Sequence, residues 1–165
     1  MRPKKSSIPR FKGKKLAKAI ATQSDELIHK FAIAEVTKFQ AEIRRQKFTS
    51  FHAFPLAPRT VQYKDDNDLD PRVMIATKNY VESLRVERTV ESDHTAYHIG
   101  FDPGALAIDA NGKSSGITLN EVAYIQEHGS LAAHIPARPH WRVHLQELQK
   151  RAKVLRRRLT ELRSP

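Results

Sequence analysis

From about Ser24 to Gln46, the apolar residues Ile28, Ala32, Val36, Phe39 and Ile43 recur at helical spacing with charged residues between them. Side chains three and four apart share one side of a helix, so this stretch predicts one long amphipathic helix with a single apolar stripe. Such a stripe is stable only when another element covers it. The covering elements come later in the chain. Leu84, Val86 and Val90 alternate with Arg85, Glu87 and Thr89, while Tyr97, Ile99 and Phe101 alternate with Ala96, His98 and Gly100. A period of two predicts half-buried strands, and the polar loop from Glu91 to His94 joins them as an antiparallel hairpin. The fold class that follows is α+β: a small antiparallel β-sheet packed against a long N-terminal helix, with a basic C-terminal helix extending from it.

Local punctuation fills in the rest. Pro58 suits the first turn of a short helix through Val61 and Tyr63, which the cluster Asp65, Asp66, Asn67, Asp68 and Asp70-Pro71 ends. Pro103-Gly104 stops the second strand, and a further short strand near Ala105 to Ile108 precedes the Asn111-Gly112 turn and a Ser114-Ser115-Gly116 loop. Thr118 and Glu121 form a capping-box pattern ahead of Leu119, Val122, Ala123 and Ile125, with Gly129 where a C-terminal glycine belongs. Leu145, Leu148, Ala152, Leu155, Leu159 and Leu162 are spaced alternately three and four apart. That heptad seam can pack on its own domain or on a neighbouring subunit.

At 165 residues the chain is the size of one domain with extensions. Its net charge of +11 is unevenly spread: residues 1–18 carry +8 with no acid, Arg142 to the end carries +6, and the middle is left at −3. This is the pattern of a folded body with two cationic ends. The expected division is a flexible basic arm over 1–23, an α+β body over 24–142 and a basic amphipathic helix over 143–165. Lys4, Lys5, Arg10, Lys12, Lys14 and Lys15 in the arm, and Arg156, Arg157 and Arg158 in the helix, are candidates for contact with DNA or an acidic partner. Aromatic residues for base stacking are scarce there, with Phe11 in the arm and none after Trp141, so nucleic-acid contact is expected to be sequence-nonspecific. Engagement of acidic protein surfaces, or simple solubilisation, accounts for the same charge.

The absence of cysteine excludes disulfides, thiol nucleophiles and Cys-based metal sites. The apolar run Leu16 to Ala21 is interrupted by Lys18 and too short for a membrane span or signal core, so a soluble, unprocessed chain is expected. No GxSxG, Walker-type loop or GxGxxG occurs. His140 and His144 lie at a spacing a zinc ion can bridge on a helix, with a third ligand to be sought among Glu127, His128 and His134. Without an HExxH pattern, the favoured reading is ordinary surface histidines. The aspartates at 65, 66, 68 and 70 lack the glycine and glutamate spacing of an EF-hand and read as a solvated turn. No catalytic residue, cofactor or metal is expected.

Residues 118 to 142 read Thr-Leu-Asn-Glu-Val-Ala-Tyr-Ile-Gln-Glu-His-Gly-Ser-Leu-Ala-Ala-His-Ile-Pro-Ala-Arg-Pro-His-Trp-Arg. A helix ending Glu127-His128-Gly129, then Ile135-Pro136-Ala137-Arg138-Pro139, an aromatic and a basic residue, resembles the tail-completion and neck proteins of tailed phages, the minor tail protein Z and head-tail joining group. The order of elements over roughly residues 24 to 160 is similar too. The chain departs from the family pattern at His128, which replaces a Phe or Tyr, at His140 and Trp141, where the aromatic falls one place later, and at Thr77-Lys78, where the family often has Thr-Gly.

The resemblance implies a homo-oligomeric ring in the virion neck, put together in the host cytoplasm. It would join the portal side of the capsid to the tail, with portal or adaptor proteins and tail terminator or tail tube proteins as partners, and with nonspecific contact to phage DNA through the basic ends. Interface candidates are Glu127, His128, Gly129, Ile135, Pro136, Arg138, Pro139 and Trp141, with Leu148, Leu155 and Leu159 of the seam. Pro136 and Pro139 stiffen the backbone and would hold Arg138 and Trp141, favoured interface anchors, in fixed directions. Alternatively Trp141 is core and Arg138 pairs internally with Glu127. The rival function is a sequence-nonspecific nucleic-acid-binding accessory protein, whose mark would be steep salt dependence of DNA affinity in a monomer.

Overall fold

The computed structural model describes residues 13–75, 78–90, 92, 95–109 and 111–161, with side chains from residue 19 onward. Lys4, Lys5, Arg10, Lys12 and Leu162 lie outside the described residues, as does most of the loop expected from Glu91 to His94. Among the described residues ten elements follow in order: helices α1 (Gly13–Arg44), α2 (Thr49–Ala53), α3 (Pro58–Asp66) and α4 (Asn79–Glu82), strands β1 (Arg85–Val90), β2 (Thr95–Gly100), β3 (Leu106–Ile108) and β4 (Ser114–Thr118), then helices α5 (Leu119–His128) and α6 (Trp141–Glu161). The architecture is α+β, with a long N-terminal helix and a basic C-terminal one.

The apolar stripe of α1 is buried as its spacing requires, with Ala32, Val36, Phe39 and Ile43 all withdrawn from solvent. The helix begins at Gly13, however, so the boundary expected at residue 23 is corrected: 13–23, including Lys14 and Lys15, is helical backbone. The segment from Leu16 to Ala21 is rich in Ala, Leu and Lys, all strong helix formers, and a helix nucleated on the buried stripe extends through such residues at little cost. At its other end the chain reverses through Gln46, in the left-handed region at φ 52°. The Gln46 amide then donates to the Val73 carbonyl and accepts from the Val73 N–H, tying the reversal to the later loop.

β1 and β2 pair antiparallel from Arg85 opposite Gly100 to Val90 opposite Thr95. α1 packs against this ribbon. Asp25 of α1 accepts from the Tyr97 hydroxyl at 2.8 Å and from Arg88 at 3.1 Å, so the strands are fastened to the helix by polar groups as well as apolar ones. The strands do not form a single sheet. β3 pairs with β4 in a second two-stranded ribbon, irregular between Leu106 and Ile108. β4 occupies the serines and glycine expected to be loop. Its residues have weak strand propensity, and it forms because the Asn111-Gly112 turn folds it back on β3, with the Asp109 carboxylate taking the N–H groups of Asn111 and Lys113.

The core gathers Phe39 and Ile43 of α1 with Phe48, Phe51, Val73, Ile75, Tyr80, Val81, Leu84, Phe101 and Leu119. α5 starts on the expected capping box, with Thr118 and Glu121 satisfying each other's backbone N–H groups.

Candidate functional site

The segment 127–142 folds into a joint between α5, α6 and the turn after α2. Gly129 ends α5 at φ 78°, its N–H donating to Ile125 at 2.7 Å. A Cβ here would lie 2.9 Å from Ala137 N and from Ile135 O, so the returning chain passes where only glycine leaves room. Ser130 and Ile135 then exchange two backbone hydrogen bonds, closing a tight loop with Leu131 almost fully exposed at 97%.

Glu127 is spent on α6. Its Oε2 accepts from the backbone N–H of His140 at 2.9 Å and of Trp141 at 3.1 Å, and its Oε1 from that of Arg142 at 3.2 Å. Three N–H groups that an α-helix leaves unpaired at its start are thus satisfied by one carboxylate from another helix, where the helix dipole also favours negative charge.

Arg138 is turned inward, 4% exposed, which corrects its expected role as a partner-facing anchor. Nor does it pair with Glu127. Its Nε donates to the Phe54 carbonyl at 2.7 Å, its Nη2 to the Pro55 carbonyl at 3.0 Å and its Nη1 to the Gln126 side-chain oxygen at 3.4 Å. Its backbone N–H reaches the Gln126 carbonyl at 2.6 Å. The planar fork of donors explains why arginine is used: it spans two successive carbonyls of a turn that has no secondary structure to satisfy them. Burial among neutral acceptors pulls its pKa below the ordinary arginine value. Ser50 of α2 completes the attachment by donating to the Pro139 carbonyl.

His140 and His144 are core residues, 0% and 1% exposed, which corrects the surface-histidine reading. A carbonyl only accepts, so His140 Nδ1 donates to Arg138 O at 2.9 Å, and its Nε2 accepts from the Tyr80 hydroxyl at 2.8 Å. That hydroxyl in turn accepts from Trp141 Nε1 at 2.9 Å. Every proton in this chain is placed with His140 neutral, in keeping with burial, which lowers the His140 pKa and raises that of Tyr80. Trp141 is half-buried against the core, edge-on to Phe39.

One turn further on, His144 stacks on Phe39 with centroids 4.2 Å apart and places Nδ1 3.1 Å from Glu42 of α1. Its Nε2 has no hydrogen-bond partner and stands 3.8 Å from the buried Glu35, which Arg151 grips at 2.7 and 2.5 Å. Glu35 and Glu42 on α1, and His144 and Arg151 on α6, are each seven residues apart, so the antiparallel helices meet through two polar rungs. Tyr80, Glu35, Glu42 and Arg151 were not singled out by the sequence; for the α1 and α6 residues the seven-residue spacing is the trace left there, and Tyr80 leaves none.

Of the remaining candidates, Gly129, Ile135, Pro136 and Pro139 are half-buried within the joint, and His128 is exposed, its ring against Tyr124. Leu148, Leu155 and Leu159 are half-buried, whereas Leu145 is 46% exposed, so the seam is covered only in part. Arg156, Arg157 and Arg158 are exposed. Among the described residues no group of three or more His, Asp or Glu lies close enough to hold a metal ion, and no helix is long and apolar enough to cross a membrane. Glu127, Arg138, His140 and Tyr80 are all engaged in internal bonds, so the arrangement acts as a framework.

The chain matches no family model, no curated protein and no solved structure.

Proposed function

We propose that this chain is a structural subunit of a tailed phage, forming a ring at the head-tail junction that joins the portal side of the capsid to the tail. The observation that carries this reading is the use to which the segment resembling the tail-completion proteins is put. Gly129, Glu127 and Arg138 lock α5, α6 and the turn at Phe54-Pro55 to one another. A ring of heterologous contacts closes only when each subunit presents its two surfaces at one fixed angle, and a joint of this kind holds that angle. Lys78 adds support. It stands where the family often has glycine, and it adopts φ 62°, the backbone conformation glycine favours.

With the motif turned inward, the contact surface is the exposed group beside it. Tyr124 at 66% exposure and the His128 ring, tilted against it with centroids 4.5 Å apart, are exposed near the end of α5, and Leu131 at 97% follows in the loop after it. Aromatic and apolar groups held on a rigid frame are what a subunit contact uses. The partners are further copies of the chain, portal or adaptor proteins on one side and tail terminator or tail tube proteins on the other. Cryo-electron microscopy of the head-tail junction in purified particles, with mass spectrometry of the same particles, tests the reading. A ring built from this chain at the neck is the expected result; its absence from mature virions overturns it.

A further inference from the structure

The two sides of α6 differ in chemistry. Its inner side carries the half-buried Leu148, Leu155 and Leu159 and meets α1 through the Arg151–Glu35 pair, and Glu147 on the flank is held by Lys150 at 2.6 Å. At about 100° per residue, Arg142, Gln146, Gln149, Lys153, Arg156 and Arg157 share the opposite side, and all six are exposed. The stripe runs about 22 Å along a straight helix, at 1.5 Å per residue, and contains no acid. Arg142 has Glu127 at 3.6 Å, but among the described residues Lys153, Arg156 and Arg157 have no ion-pair partner. Lys153 stands three and four residues from the two arginines, a spacing at which like charges repel. An arrangement that is unfavourable in the free chain becomes favourable against a polyanion.

We infer that the outer face of α6 binds the phosphate backbone of duplex nucleic acid without reading its sequence. The stripe offers charged donors and, between them, the neutral amides of Gln146 and Gln149, all suited to phosphate oxygens. It carries no aromatic ring, Trp141 being turned toward Phe39, so a single strand finds nothing to stack on. A rigid line of cations approaching from one side suits a duplex, whose phosphates line a regular surface, and gains from the counterions they release. This contact follows from the surface of α6 alone and stands whether or not the chain forms a ring.

The test uses the full chain and a short duplex of arbitrary sequence, followed by fluorescence anisotropy across a range of salt concentrations. The triple variant Lys153→Gln, Arg156→Gln, Arg157→Gln is compared with a control, Arg45→Gln, Arg59→Gln, Lys113→Gln, that removes the same charge from exposed positions elsewhere. Residues 1–18 are unchanged in both, so their contribution cancels. Glutamine keeps helix propensity, and circular dichroism checks that α6 persists. The stripe variant is expected to lose on the order of ten-fold in affinity, with the log–log salt slope shallower by about 2.7, while the control stays near the parent. The inference is overturned if both variants behave alike, if a single strand of the same length binds more tightly than the duplex, or if the stripe variant loses self-association while keeping its duplex affinity, which would assign the stripe to a protein contact.

Discussion

Glu127 satisfies three backbone N–H groups at the start of α6 while being nearly buried itself, so its removal leaves those groups without a partner. Glu127→Ala is expected to cost about 1–2 kcal/mol in denaturant unfolding, the range of a strong N-cap aided by the helix dipole. Arg138→Met keeps much of the volume but strands the carbonyls of Phe54 and Pro55. A loss of about 3 kcal/mol is expected by the same measurement, because buried acceptors left unpaired carry their full desolvation penalty. Lys78 goes the other way. At φ 62° a lysine is held where its Cβ is crowded, and Lys78→Gly is expected to raise the thermal midpoint, corresponding to about 0.5–1 kcal/mol of stabilisation.

At the scale of elements, α1 and α6 are joined by a seam whose centre is polar. His144 faces Glu42 and Glu35 from α1, with Arg151 beside it on α6, and His140 is enclosed by Tyr80, Arg138 and Glu127. Burial, the largest cause, lowers the pKa of both imidazoles; for His144 the hydrogen bond to Glu42 opposes it without cancelling it. The folded protein therefore binds fewer protons than the unfolded chain as pH falls through the ordinary histidine value near 6.5, and stability declines with acidification below it. Denaturant midpoints measured from pH 7.5 down to about 5.5 are expected to fall. His144→Gln, which keeps a donor for Glu42 but cannot titrate, is expected to flatten part of that slope. A flat profile in the parent would contradict the burial of both rings.

At the scale of the whole molecule, the proposed assembly rests on groups other than those that hold the fold. The core and the joint lie on the inside, while Leu131 projects from a loop closed by the Ser130–Ile135 bridge and touches little of its own chain. Leu131→Glu is expected to leave the unfolding free energy within about 0.5 kcal/mol of the parent, as for surface substitutions generally. Native mass spectrometry of the same variant is expected to show loss of higher oligomers. Unchanged oligomers would place the subunit contact elsewhere on the surface.

The sequence by itself determined the elements whose cause is local. The stripe of α1 follows from its period, the pairing of β1 with β2 from their alternation, although Val90 is 65% exposed where that alternation would bury it, and the start and end of α5 from Thr118, Glu121 and Gly129. It also marked 127–142 as unusual. What that segment does was decided by tertiary structure, since two of the three acceptors of the Arg138 side chain are backbone carbonyls 83 and 84 residues earlier, and no pattern of residue types marks a carbonyl. The same holds for His140 and His144, whose spacing fits a metal pair, a surface face or a core equally well. Phe39 and Tyr80 resolve it by arriving from α1 and α4 to enclose both rings. β4, weak in strand propensity, exists because β3 lies beside it. Local patterns fix which way a chain segment folds; desolvation, which decides what a polar side chain must bond, depends on neighbours that only the folded molecule brings together.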